Sequence, residues 1–67
     1  MLKDKNRKVV KVGDWISDTD GVYEVVKVDN HEAEVVEVVF ATESEYLVTE
    51  DTYIKLKSEV ALMEIIV

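Results

Sequence analysis

The sequence predicts an all-β domain: a small barrel of five or six antiparallel strands with one short helical turn near 57–60. Three observations carry that expectation. Fourteen of the 67 residues are Val, and β-branched side chains favour the pleated surface of a sheet. The apolar segments are of strand length and are separated by polar, turn-forming clusters. No segment sustains the i, i+3, i+4, i+7 apolar spacing of an amphipathic helix, and the chain has no Pro.

Residues 1–8 are polar and basic without apolar periodicity and are read as a flexible basic arm. The single domain then spans 9–67. Gly13-Asp14 marks a first bend inside the segment 9–17. Asp18-Thr19-Asp20-Gly21 is a stronger turn, with Asp suited to its first position and Gly tolerant of positive φ. Asp29-Asn30-His31-Glu32 separates the strands expected at 21–29 and 33–41. Weaker breaks at Thr42-Glu43-Ser44 and Glu50-Asp51 bound strands at 45–49 and 52–57. Lys57 to Val60 reads as one helical turn, and a last strand is expected at 61–66.

The strings Glu24-Val25-Val26-Lys27-Val28 and Glu34-Val35-Val36-Glu37-Val38 echo each other across ten residues. Two copies are too few for a repeat architecture. They are read as a hairpin with two competing registers. A two-residue turn sets Lys27 opposite Glu34, a favourable pair, but sets Glu24 opposite Glu37. A three-residue turn gathers Val22, Val26 and Val28 on one face with Val36, Val38 and Phe40. Both strands are apolar on both faces, and a one-residue slip exchanges the faces. The second register gives the cleaner core. The expected core is Val12, Ile16, Val22, Val26, Val28, Val36, Val38, Phe40, Leu47, Ile54, Leu56, Ala61, Met63 and Ile65.

Charge narrows the choice of partner. Five of the eight basic residues fall within the first eleven positions, whereas fourteen of the fifteen carboxylates lie from Asp14 onward. An arm of about +4 thus precedes a body of about −11, within a net charge of −7. Such a body repels nucleic-acid backbones and attracts basic surfaces. The chain has no Cys, so no disulfide forms, and its one His makes a structural zinc site a poor expectation. No apolar run has the length of a signal peptide or a membrane span, so a soluble, cytoplasmic protein without membrane association is expected.

Val12-Gly13-Asp14-Trp15-Ile16, a turn ending at Gly21 and Tyr23-Glu24-Val25-Val26-Lys27-Val28 together resemble the opening of SH3-like small barrels. That group includes KOW-type and Tudor-like domains. Its closing pattern is similar to the strand Tyr53-Ile54-Lys55-Leu56, the turn at Lys57 to Val60 and the strand from Ala61 to Ile66. The chain also resembles small orphan barrels of bacteriophages and prophages. The resemblance implies a fold and a phage origin; it does not imply an activity. Tudor-like readers of methylated side chains use an aromatic cage. The sequence gives no pattern that brings Trp15, Tyr23, Phe40, Tyr46 and Tyr53 together. RNA-binding KOW-type domains carry basic loops, whereas the loops here are acidic.

No catalytic, metal or cofactor constellation emerges. The Asp18–Gly21 cluster places Ile16 where a calcium loop needs its first ligand. His31 has neither a nucleophile nor an orienting partner nearby in sequence. The expected function is therefore a non-enzymatic protein-binding module. The first alternative is an acidic, nucleic-acid-mimicking inhibitor of a basic DNA- or RNA-binding host protein. Its partner face would be Glu32, Glu34, Glu43, Glu45, Glu50 and Asp51. The second is a self-assembling structural barrel, hence a homo-oligomer. Trp15 is read first as a cover for one end of the barrel and second as an interface anchor. Direct nucleic-acid contact is confined to weak, salt-dependent phosphate contacts from Lys3, Lys5, Arg7 and Lys8.

Overall fold

A computed structural model of the chain describes residues 1–40, 42 and 45–67. The strands are β1 (Trp15–Ser17), β2 (Val22–Val28), β3 (Glu32–Phe40), β4 (Tyr46–Leu56) and β5 (Glu64–Ile65), with the single-turn helix α1 (Lys57–Val60) between the last two. They form one antiparallel sheet in the order β4-β3-β2-β1-β5. The all-β class, the strand number and the helical turn agree with the sequence. The sheet is not closed into a barrel, and β4 and β5 stand at its two edges.

The turns are made largely by aspartates accepting backbone N–H groups, the mechanism that makes Asp a turn residue. Asp18 accepts from Asp20 (2.8 Å) and Gly21 (3.1 Å). Asp29 accepts from His31 (2.7 Å) and Glu32 (2.9 Å), and these bonds hold its carboxyl below the ordinary range. Gly21 does not adopt the positive φ that the sequence suggested for it. The glycine that does is Gly13, at φ 95. It sits in the bend that Asp14 closes by accepting the Lys11 N–H. Glu59 accepts the Leu56 N–H at 3.1 Å, one half of a capping box for α1.

The β2–β3 hairpin uses parts of both expected registers. Near the turn, Lys27 pairs with Glu34 and Val28 with Ala33. A bulge at Val26 shifts the pairing, so that beyond it Glu24 faces Val36 and Tyr23 faces Glu37. The extra residue keeps the favourable Lys27–Glu34 pair and avoids the Glu24–Glu37 pair. A second irregularity lies between β3 and β4, where Glu37 opposes the stretch Thr49 to Asp51. The sequence broke the chain at Glu50-Asp51; the structure carries one strand through that point with a bulge.

The core is built on one face of the sheet from Ile16, Tyr23, Val25, Ala33 and Val35, closed by Leu2, Val10, Val60 and Met63. Val28 and Ile65 pack against its edge. Several expected core residues are instead exposed: Val12, Val26, Phe40, Leu47, Ile54, Leu56 and Ala61. Val22 and Val36 are half-buried. The reason is the choice of face. Both faces of β2 and β3 are apolar, and the fold buries the odd-numbered set while the bulge pushes Val26 out. Ala33, the smallest of that set, is fully buried where α1 meets β3. Of the expected core, Ile16, Val38 and Met63 are buried.

The first eight residues are not a flexible arm. Leu2 is 2% exposed and Asp4 4%. Lys3 bridges to Val9, Val10 N–H donates to the Leu2 carbonyl, and Arg7 turns the chain in the left-handed region at φ 63. The Asp4 carboxylate organises this segment. Its Oδ1 accepts from the Asn6 (2.9 Å) and Lys8 (2.8 Å) N–H groups, and its Oδ2 accepts from the Ile65 N–H (3.0 Å). Burial alone pushes its pKa up. The three N–H donors and nearby Lys8 outweigh that, and the carboxyl sits below its ordinary value of 3.8.

Asp4→Ala leaves three N–H donors without their acceptor and should cost about 3 kcal/mol, read as a fall in the urea midpoint. The folded pKa of Asp4 lies below the unfolded one, so its contribution is complete above about pH 3.8 and is lost as pH falls below it. The stability gap between wild type and Asp4→Asn should therefore narrow on acidification through that range. A gap independent of pH would contradict the assignment.

Candidate functional site

Opposite the core, the second face of the sheet carries an aromatic cluster. Trp15 on β1, Phe40 on β3 and Tyr46 on β4 meet edge to face, with centroid separations of 4.7 Å (Trp15–Tyr46), 6.4 Å (Phe40–Tyr46) and 6.5 Å (Trp15–Phe40). Strands β1 and β4 lie three places apart in the sheet, about 14 Å if it were flat. For their side chains to touch, the sheet must curl towards this face. The curl accounts for Val38, which is 4% exposed yet lies outside the main core. Its register neighbours are Val22 and Val48. The Trp15 indole N–H donates to Glu24 Oε1 at 3.1 Å, its directly opposite cross-strand partner on β2. Trp15 is thus half-buried, with its ring against Tyr46 and Phe40 and its N–H held by Glu24.

The convergence of three aromatics was not legible in the sequence, because it depends on the curl. Their mutual contacts, above all the 4.7 Å of Trp15 and Tyr46, make them a packed cluster. Tyr23 and Tyr53 stay apart from it on the core face, where their rings lie 5.8 Å apart and Lys55 Nζ sits 4.5 Å from the centroid of Tyr23. Burial pushes the Tyr23 hydroxyl pKa up, with Lys55 opposing, so the phenol stays neutral at physiological pH.

Around this cluster the far end of the β3–β4 hairpin is exposed and apolar on both faces. Phe40 pairs with Tyr46, Val39 with Leu47 and Val38 with Val48. Phe40 is 52% exposed, Tyr46 53% and Leu47 63%, with Val39 and Val48 close behind. The sequence placed Phe40 and Leu47 in the core. The signal it did hold was the unbroken apolarity of residues 38–40 and 46–48: a two-stranded projection with apolar side chains on both faces must expose one set.

The expected acidic face is dispersed. Glu32 lies opposite Leu56, and Glu34 lies between Lys27 and Ile54, both half-buried near the β2–β3 turn. Glu45 lies at the other end of the hairpin, about 27 Å along β3 at the rise of a strand. Glu50 and Asp51 are exposed at the bulge across from Glu37, with the Asp51 N–H on Thr49 Oγ1. Glu43 lies outside the described residues. Much of the remaining negative charge has a structural task. Asp4, Asp14, Asp18, Asp29 and Glu59 accept backbone N–H groups, and Glu24 accepts from the indole.

Lys3, Lys5, Arg7 and Lys8 are exposed on the folded N-terminal turn. Lys5 Nζ lies 3.6 Å from Glu64, an exposed pair worth about 0–1 kcal/mol. Lys5, Ser17, Asp18, Thr19, Glu59, Leu62 and Glu64 line an open, mixed-charge hollow of about 580 Å³. His31 is exposed at the β2–β3 turn, and its carbonyl accepts the Lys57 N–H. Among the described residues no three His, Asp or Glu side chains gather to hold a metal ion, and no helix is long and apolar enough to cross a membrane.

No protein-family model matches this chain, and no curated protein or solved structure is significantly similar to it.

The aromatic cluster should be peripheral to the core. Tyr46→Ala should uncover the chain's single Trp and red-shift its emission while costing about 1 kcal/mol. Ile16→Ala, in the main core, should cost about 3 kcal/mol. Equal losses of stability, or an unshifted emission, would place Trp15 in a different environment.

Proposed function

We propose that this chain is a non-enzymatic protein-binding module whose contact surface is the far end of the β3–β4 hairpin. The observation that supports this reading is the contiguous exposed surface of Val39, Phe40, Tyr46, Leu47 and Val48, apolar on both faces of a two-stranded projection. Contiguous apolar patches mark interaction sites on small soluble proteins, and aromatic side chains are enriched where partners are gripped. Trp15 supports the patch from beneath and holds Tyr46 in place. Its indole N–H is already engaged by Glu24, so its role in binding is to position the surface. The dispersal of the acidic residues favours this reading over that of a nucleic-acid mimic, which needs carboxylates at regular, phosphate-like spacing on one face.

The test is capture from source-cell lysate at low and high salt after nuclease treatment, with wild type, Val39→Ser/Leu47→Ser and Glu45→Gln/Glu50→Gln/Asp51→Asn compared. The hairpin reading predicts a protein retained at both salt concentrations and weakened about tenfold or more by the serine pair. A partner released by salt and by the neutralised carboxylates, but kept by the serine pair, would overturn it in favour of the acidic inhibitor.

A further inference from the structure

The two edges of the sheet are treated differently. At the β5 edge, the inner side of the strand pairs with β1. Its outer side is met by the N-terminal turn: Lys5 N–H donates to the Met63 carbonyl at 2.9 Å, and Ile65 N–H reaches Asp4. At the other edge β4 is eleven residues long and pairs with β3 alone among the strands. Beyond the bulge at Thr49 to Asp51 it runs in regular register with β3 from Thr52 to Leu56. Tyr53, Ile54 and Leu56 are each about half exposed there. An open edge of this kind presents a row of outward backbone groups that template another strand. The chain also exposes 4672 Å², against about 4,300 Å² for a folded monomer of its mass.

We infer that the occupant of this edge is a second copy of the chain, its β4 paired antiparallel with β4 about a two-fold axis at Tyr53. Charge selects that register. Centring the axis on Glu50 or Asp51 sets that carboxylate against its own copy, a destabilising pair. Centring it on Thr52 or on Ile54 pairs no opposite charges within the strand. Centring it on Tyr53 sets Asp51 opposite Lys55 twice, Thr52 opposite Ile54, and Tyr53 opposite Tyr53. Asp51 is the last residue of the bulge, which bends the strand there and limits the pairing to this short segment. The two-fold uses each β4 edge once, so the contact closes as a dimer and does not propagate. The paired segment does not include the apolar hairpin end assigned to partner binding, and the inference does not rest on that assignment.

Sedimentation equilibrium over a range of concentrations tests it. Wild type should approach twice the 7.7 kDa chain mass. Asp51→Lys and Lys55→Asp should each weaken association about tenfold or more, and the double exchange should restore it. Because the chain has no cysteine, Tyr53→Cys offers a second readout. Its two sulfurs would meet across the axis and form an intermolecular disulfide under mild oxidation, whereas Leu62→Cys, exposed beside Ser17 and Glu64 at the β1–β5 side of the sheet, should not. A wild-type mass that stays at one chain throughout, a double exchange that fails to restore association, or equal crosslinking at both cysteines would each overturn the dimer.

Discussion

The carboxylate of Asp4 is the interaction on which the rest of this structure depends. It draws the N–H groups of Asn6 and Lys8 into a turn and takes the N–H of Ile65 from the far end of the sequence. That one residue thereby joins the first and last elements of a chain without disulfides. It carries Leu2 and Val10 over the open side of the core, where both are almost fully buried. A domain of this length has little apolar surface to spare. Losing the N-terminal lid would remove Leu2 and Val10 from the cluster that holds Ile16, Val25 and Met63, so the small core is a consequence of the turn as much as of the sheet.

The same interaction gives the molecule its asymmetry. One edge strand has its outer backbone groups occupied by the chain's own N-terminus; the other projects as a long hairpin without such cover. The curl of the sheet places Trp15, Phe40 and Tyr46 against one another beneath the hairpin's end, which supports it while leaving its apolar residues outward. The acidic character of the chain reads differently in this light. Aspartates close the turns, glutamates hold an indole and a helix end, and the remaining carboxylates among the described residues are dispersed.

The strands, the main turns and the helical turn were legible because each rests on local chemistry: β-branched runs, Asp in turns, Glu59 beside Leu56. The core face was not. Val22, Val26, Val36 and Val38 make as good an apolar stripe as Tyr23, Val25, Ala33 and Val35. The choice between them is made by what covers the sheet, and the cover includes a segment that looks like a solvated tail. Leu2 is one apolar residue among lysines, and only the long-range bond from Ile65 to Asp4 shows why it is buried. The hairpin register was ambiguous for a related reason. Each candidate satisfied part of the pattern, and the bulge at Val26 let the chain take the Lys27–Glu34 pair from one and the Glu24–Val36 pair from the other. Of the site, the unbroken apolarity of residues 38–40 and 46–48 is visible in the sequence, but the meeting of Trp15, Phe40 and Tyr46 depends on curvature, which no local pattern encodes.

Amide hydrogen exchange followed by NMR across a dilution series measures both edges at once. The N–H groups of Lys5, Lys8 and Ile65 should be protected like those of the core strands at every concentration. The outward N–H groups of residues 52–55 should exchange rapidly when dilute and slow as concentration rises. Rapid exchange at Lys8 and Ile65, or protection of the outer β4 amides that persists at high dilution, would contradict a sheet with one edge closed by Asp4 and the other left open.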